Sequence, residues 1–143
     1  MTQDILVPID ESEQSITALR RALDDFPKAS ITVLHVIDFR SGDTGPGGFG
    51  TTNAWEDWST SAREQAEKLL SKAEAIAADY DHDITTTAVF GEDSSGILDY
   101  VNEHEVDRIY MGSHGRAGLS RVLLGSVAES IVRRAPVPVT VVR

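Results

Sequence analysis

The chain has 143 residues, no cysteine, 23 acidic and 13 basic side chains, and a formal net charge of −10 at neutral pH. Its length is that of one domain, and a chain of this size buries roughly 68–70% of its unfolded surface without a covalent staple. The lack of cysteine excludes a disulfide framework, a thiolate metal site and a thiol nucleophile. The excess acid argues against non-specific nucleic-acid binding, and no apolar run reaches the ~18 residues of a membrane span. With no basic-then-apolar N-terminal segment either, a cytosolic protein without membrane or nucleic-acid partners is expected.

The elements follow in chain order. Ile5-Leu6-Val7-Pro8-Ile9 is a continuous apolar run, as a buried parallel strand requires. Asp10 and Ser12 follow it. Ile16, Leu19, Ala22, Leu23 and Phe26 then recur at helical spacing, with Ser12 and Ser15 in the first turn and Pro27 closing the helix. Ile31 to Ile37 reads as the second strand. Arg40 to Asn53 holds five of the eleven glycines and reads as a mobile surface loop. Ala62, Ala66, Leu69, Leu70, Ala73, Ile76 and Tyr80 form the stripe of a long helix. Ile84 to Phe90 is a strand rich in threonine and valine, and Ile97, Leu98 and Val101 mark a short helix. Arg108 to Met111 is a strand ending at Gly112. A largely helical pattern leads to a last strand, Val137 to Val142, with Pro136 and Pro138 at its entry, which suits a sheet edge.

The pattern βαβαβαβαβ predicts an α/β fold: an open parallel five-stranded sheet, order 3-2-1-4-5, with helices on both faces, in one domain spanning 1–143. Such sheets bind ligands beyond the carboxyl ends of their strands, where the strand order reverses. Two loops flank that point, Pro8-Ile9-Asp10 and the segment from Gly112 onward.

The second loop carries the chemistry. Ser126-Val127-Ala128-Glu129 fits a capping box, with Ser126 as N-cap and Glu129 three residues on. Gly125 and Ser126 would then offer free backbone N–H groups at a helix N-terminus, which attracts anions. Gly112 and Gly115 let backbone approach a ligand, and Arg116 and Arg121 add charge for phosphate. Glycines after a strand also simply make turns, and Ser126 also simply caps. The pattern is neither the P-loop G-x-x-x-x-G-K-[ST] nor the dinucleotide G-x-G-x-x-G. A receiver-domain reading lacks an aspartate after the third strand, which ends Phe90-Gly91. Asp10 serves equally as a helix cap or a ligand group. His35, His82, His104 and His114 are dispersed, so no metal site is assigned. Trp55 and Trp58 pack on the domain or on a partner chain.

Gly112-x2-Gly115-x9-Gly125-Ser126 resembles the signature of the ATP-binding branch of the universal stress protein family. The opening Ile5 to Asp10, Leu34-His35-Val36-Ile37, Met111 to Gly115 and the closing Pro136 to Val142 resemble the same family, so the likeness spans nearly the whole chain. It implies a Rossmann-like fold and a regulatory stress-response protein binding ATP or another adenine nucleotide. It also implies a homodimer through the last strand. By the resemblance, Pro8, Ile9 and Asp10 border adenine and ribose, Val36 contacts adenine, and Met111 and Gly112 line the nucleoside. Gly115 and Arg116 continue the loop, and Gly125, Ser126 and Val127 hold the phosphates. A magnesium or manganese ion bridging the phosphates is compatible with this, although the chain has no dedicated cage for it. No catalytic residue is assigned, and slow hydrolysis at most is expected. A nucleotide-independent dimeric interaction module and a weak ATPase are the alternatives.

The charge is unevenly divided. Residues 1–111 carry a net −14, whereas 112–143 carry one acid, Glu129, and five arginines, a net +4. A polyanion therefore meets a local field opposite to the global one. Three lysines against ten arginines, beside so much acid, fit a surface adapted to high salt, with an ordinary acidic composition as the alternative.

Overall fold

The computed structural model describes residues 2–38, 54–114 and 124–143. The glycine-rich loop 40–53, read from the sequence as mobile, and the segment 115–123 lie outside the described residues. Five strands are present: β1 (Asp4–Pro8), β2 (Ser30–Ile37), β3 (Ile84–Phe90), β4 (Arg108–Gly112) and β5 (Val139–Val142). Four helices connect them: α1 (Glu13–Asp25), α2 (Ala54–Asp79), α3 (Asp93–Glu103) and α4 (Ser126–Arg134). The strands form one sheet in the order β3-β2-β1-β4-β5, every pair parallel, as the alternation of elements predicts.

β1 lies at the centre, and its apolar run is continuous because both its faces are covered. The two-residue period of the strands sorts their side chains into two layers. Ile5, Val7 and Ile9 join Ile31, Val33 and Tyr110 beneath α1 and α2, where Leu19, Leu23, Leu70, Ala73 and Ile76 meet them. Leu6, Leu34, Val36, Ile109 and Met111 face the other way, onto Ile97 and Val101 of α3 and Ala128 and Ile131 of α4.

Local chemistry sets the boundaries. Ser12 is the N-cap of α1, its hydroxyl accepting the Ser15 N–H at 3.3 Å. The helix stops at Phe26, whose N–H reaches the Ala22 carbonyl at 3.0 Å, and Pro27 prevents continuation. The last strand starts at Val139, two residues later than the sequence pattern predicts. Pro138 has no N–H to give the ladder, yet its carbonyl accepts from Ile109 at 2.9 Å and opens the pairing. Trp58 packs on Phe90 of the same chain, ring centroids 6.2 Å apart. No described helix is long and apolar enough to cross a membrane.

A polar knot closes the far end of the α1 layer. Phe26 meets Tyr110 edge-on at 5.7 Å, and the Tyr110 hydroxyl donates to Asp25 at 2.9 Å. Burial first, and the bond to Asp25 second, hold the Tyr110 hydroxyl above the ordinary tyrosine range. The folded form thus keeps a proton that the unfolded chain releases near pH ~10. The resulting stabilisation is complete below that pH and is lost as pH rises through the folded value. Tyr110→Phe should cost about 0.5–1.5 kcal/mol at neutral pH. Urea unfolding at stepped pH should show wild-type stability falling more steeply than the variant's in the alkaline range; parallel slopes would contradict this origin.

Candidate functional site

The strand order reverses between β1 and β4, and the chain leaves both at the same edge of the sheet. Pro8 is buried at the end of β1, in register with Leu34. Ile9 still pairs, its N–H donating to the Leu34 carbonyl at 2.9 Å, while its buried side chain belongs to the α1–α2 layer. Its carbonyl accepts from His35 Nδ1 at 2.9 Å, so all the groups of Ile9 are used inside the protein. Asp10 is half-buried and turns the chain: its Oδ1 accepts the Ser12 N–H at 2.7 Å. It therefore supports the turn before α1, and Ser12 rather than Asp10 caps the helix.

Met111, at the end of β4, is buried in the α3–α4 layer together with Val36. Val127 and Leu124 pack at the margin of that layer, so Val36, Met111 and Val127 share one apolar floor. Val36 is wedged tightly from the side. A Cβ on Gly96 of α3 would stand 2.8 Å from Val36 Cγ1.

Gly112 has a packing reason to be glycine. A Cβ there would lie 2.8 Å from the backbone carbon of Gln14 in α1. Sequence reading assigns this glycine to ligand approach; the structure shows a helix pressed against it. Ser113 is buried, donates its N–H to the Val142 carbonyl at 2.8 Å, and accepts the Gly125 N–H at 2.7 Å. The expectation that the Gly125 N–H is free is therefore corrected: it ties the start of α4 back to the end of β4.

The capping box is corrected as well. Gly125, extended at φ −68 and ψ 164, is the N-cap of α4, and its carbonyl accepts the Glu129 N–H at 2.9 Å. Ser126 is thus the first helical residue, and Glu129 lies one position too far to reach back. It pairs instead with Arg133 at 2.9 Å, both exposed. No described side chain caps α4, since Gly125 has none to offer. A helix leaves its first N–H groups without intrahelical partners, so Ser126, Val127 and Ala128 present theirs at the switch point. Ser12 answers that need in α1; in α4 nothing among the described residues does.

Gly115, Arg116 and Arg121 lie outside the described residues. No described group of three or more His, Asp or Glu side chains is arranged to hold a metal. A cavity of about 280 Å³ opens elsewhere, between α2 and the ends of β2 and β3, lined by Ile37, Arg63, Glu67 and Phe90 among others. It shares no residue with the switch point. Sequence reading misses Ser113, Ser15, His35 and Gly96 as organisers of the site. The available signals are a polar residue inside an apolar strand for His35 and a glycine inside a helix for Gly96.

The family model of the universal stress proteins matches residues 1–143. The chain belongs to that family. UspA of Lactobacillus plantarum has a similar structure, with a TM-score of 0.82 at 25% identity, covering 99% of this chain and 97% of that one. Universal stress protein MJ0577 of Methanocaldococcus jannaschii gives a TM-score of 0.79 at 30% identity, covering 99% and 96%. A universal stress protein solved in complex with cAMP shares the fold, with a TM-score of 0.71 at 21% identity over 99% and 97%.

The contact between Gly112 and Gln14 yields a test within this universal stress protein. Gly112→Ala should lower unfolding stability by roughly 1–3 kcal/mol, as overpacking does, measured by urea denaturation. Unchanged stability would mean that α1 does not press on the end of β4.

Proposed function

We propose that this universal stress protein is a regulatory, adenine-nucleotide-binding switch that takes ATP and acts as a cytoplasmic homodimer. The observation that carries the reading is the N-terminus of α4, capped by no described side chain and standing at the switch point beside the floor of Val36, Met111 and Val127. Unpaired N–H groups and the helix dipole favour a phosphate there. The Ser126 and Val127 N–H groups and the Ser126 hydroxyl would hold it, with Gly125 leaving room beside them. The apolar floor suits a base, and Asp10, whose Oδ2 accepts from no described group, suits a ribose hydroxyl or an amino group. Pro8 and Gly112 border the same opening, and by the family resemblance Gly115 and Arg116, which lie outside the described residues, would also contact the nucleotide. A fold-mate solved in complex with cAMP supports the adenine-nucleotide class.

The net charge of +4 over residues 112–143 favours a polyanion at this edge. A magnesium or manganese ion would ride on the phosphates rather than in a protein cage. Slow hydrolysis at most is proposed. Asp10 is engaged through Oδ1 in the β1 turn, and His35 through Nδ1, rather than being aimed at a water. The dimer would form along β5, a short uncharged strand at the end of the sheet order, an arrangement that invites strand pairing.

Thermal unfolding with ATP, ADP, AMP and no ligand tests the reading. A ligand at 100 times its dissociation constant should add about 2.7 kcal/mol. Ser126→Pro sharpens the test. Proline is favoured at the first helical position, and the extended Gly125 tolerates a following proline. The variant should fold normally yet bind ATP roughly ten- to a hundredfold more weakly, as loss of a hydrogen bond to a charged group implies. No shift with any adenine nucleotide would favour the nucleotide-independent dimer module. Full affinity in Ser126→Pro would remove α4 from the phosphate site.

A further inference from the structure

The peptide unit joining Ile9 to Asp10 is held at both ends by side chains. Its carbonyl, on Ile9, accepts from His35 Nδ1 at 2.9 Å. Its N–H, on Asp10, donates to the Ser15 hydroxyl oxygen at 3.2 Å. The holders come from different elements, His35 from β2 and Ser15 from the first turn of α1. Register explains the first contact. Pro8 pairs with Leu34, so His35 falls beside Ile9. A half-buried imidazole within an apolar strand needs a polar partner, and this carbonyl supplies one. Ser15 is buried, and its hydroxyl also stands 3.0 Å from the Asp10 carbonyl and 2.9 Å from the Ser12 carbonyl. The Ser12 N–H then fixes the Asp10 carboxylate through Oδ1 at 2.7 Å.

Backbone N–H and C=O groups at the end of a strand normally find backbone or water partners. Here two side chains fix the plane of a single peptide, and that plane determines where the Asp10 carboxylate leaves the chain. We infer that His35 and Ser15 are positioning residues, a two-point clamp on the Ile9–Asp10 peptide that aims Asp10 at the nucleoside end of the bound nucleotide. The inference rests on the adenine-nucleotide reading above. Neither residue needs to touch the ligand; both act through Asp10.

The test uses the full chain, His35→Leu and His35→Asn, and two readouts: amide hydrogen exchange at Asp10 without ligand, and the ATP dissociation constant. In His35→Leu the Asp10 amide should exchange about tenfold faster or more, with amides inside α1 such as Leu19 unchanged. ATP affinity should fall about five- to tenfold, the effect of one neutral hydrogen bond. His35→Asn should restore both, because its side-chain amide places a donor where Nδ1 stood. In an Asp10→Ala background, His35→Leu should add no further loss. Should His35→Leu fail to fold, Ser15→Ala should give the same pattern from the other end of the clamp. Unaltered Asp10 exchange, or an affinity loss fully additive with that of Asp10→Ala, would overturn the inference. If the wild-type protein binds no ATP, the nucleotide reading falls and with it the role in binding, while the exchange data still decide whether the clamp exists.

Discussion

β1 pairs in parallel with β2 along one edge and with β4 along the other, and the crossovers that reach them run on opposite faces of the sheet. α1 and α2 cover one face and α3 and α4 the other, as right-handed parallel connections require. The loops leaving β1 and β4 must therefore diverge, and the gap between them cannot be filled by a crossover helix. The rest of the site is arranged around that gap. The turn at Asp10 leads away into α1, and α4 begins beside the end of β4, tied there by the bond from the Gly125 N–H to the Ser113 carbonyl.

Most polar groups around the gap are satisfied by the protein. Ile9 uses its N–H and its carbonyl, Ser113 uses both of its backbone groups, and Gly125 gives its N–H to Ser113 and its carbonyl to Glu129. These bonds make a rigid rim. The exception is the first turn of α4, whose donors have no side-chain cap among the described residues. With glycine at the cap position the helix forgoes only about a few tenths of a kcal/mol against a Ser, Thr, Asp or Asn cap. Water meets that need in part, and a phosphate meets it with opposite charge as well. The rigid rim and the open helix start thus complement each other: the first fixes geometry and the second offers binding groups.

Much of this was legible in the sequence, for identifiable reasons. The continuous run at Ile5–Ile9 reads as a buried parallel strand, and the alternation of strand and helix periods as a parallel sheet covered on both faces, for which 3-2-1-4-5 is the expected order. Gly112, Gly125 and Ser126 mark the second loop correctly by position. What spacing does not reveal is the partner of each group. Ser126-x-x-Glu129 has the letters of a capping box, but the box fails because Gly125 already takes the cap position. Gly112 reads as a ligand-facing glycine, yet the atoms that would meet its Cβ belong to Gln14, nearly a hundred residues earlier. The tie between Ser113 and Gly125 and the contact between His35 and Ile9 are likewise tertiary, set by register rather than by neighbours in the chain. The uneven charge, acidic before residue 112 and basic after it, is readable only from the chain as a whole, and it gains meaning once α4 is seen to start at the switch point.

The central claim is that the open start of α4 is the phosphate-binding element. An ATP titration of the isotope-labelled protein, followed through its backbone amide resonances, tests it directly. The account predicts the largest shifts at Ser126 and Val127, smaller ones at Val36 and Met111, and none at Arg63, Ala66 and Leu70 beside the separate cavity under α2. Shifts centred on that cavity, with Ser126 and Val127 unmoved, would contradict it.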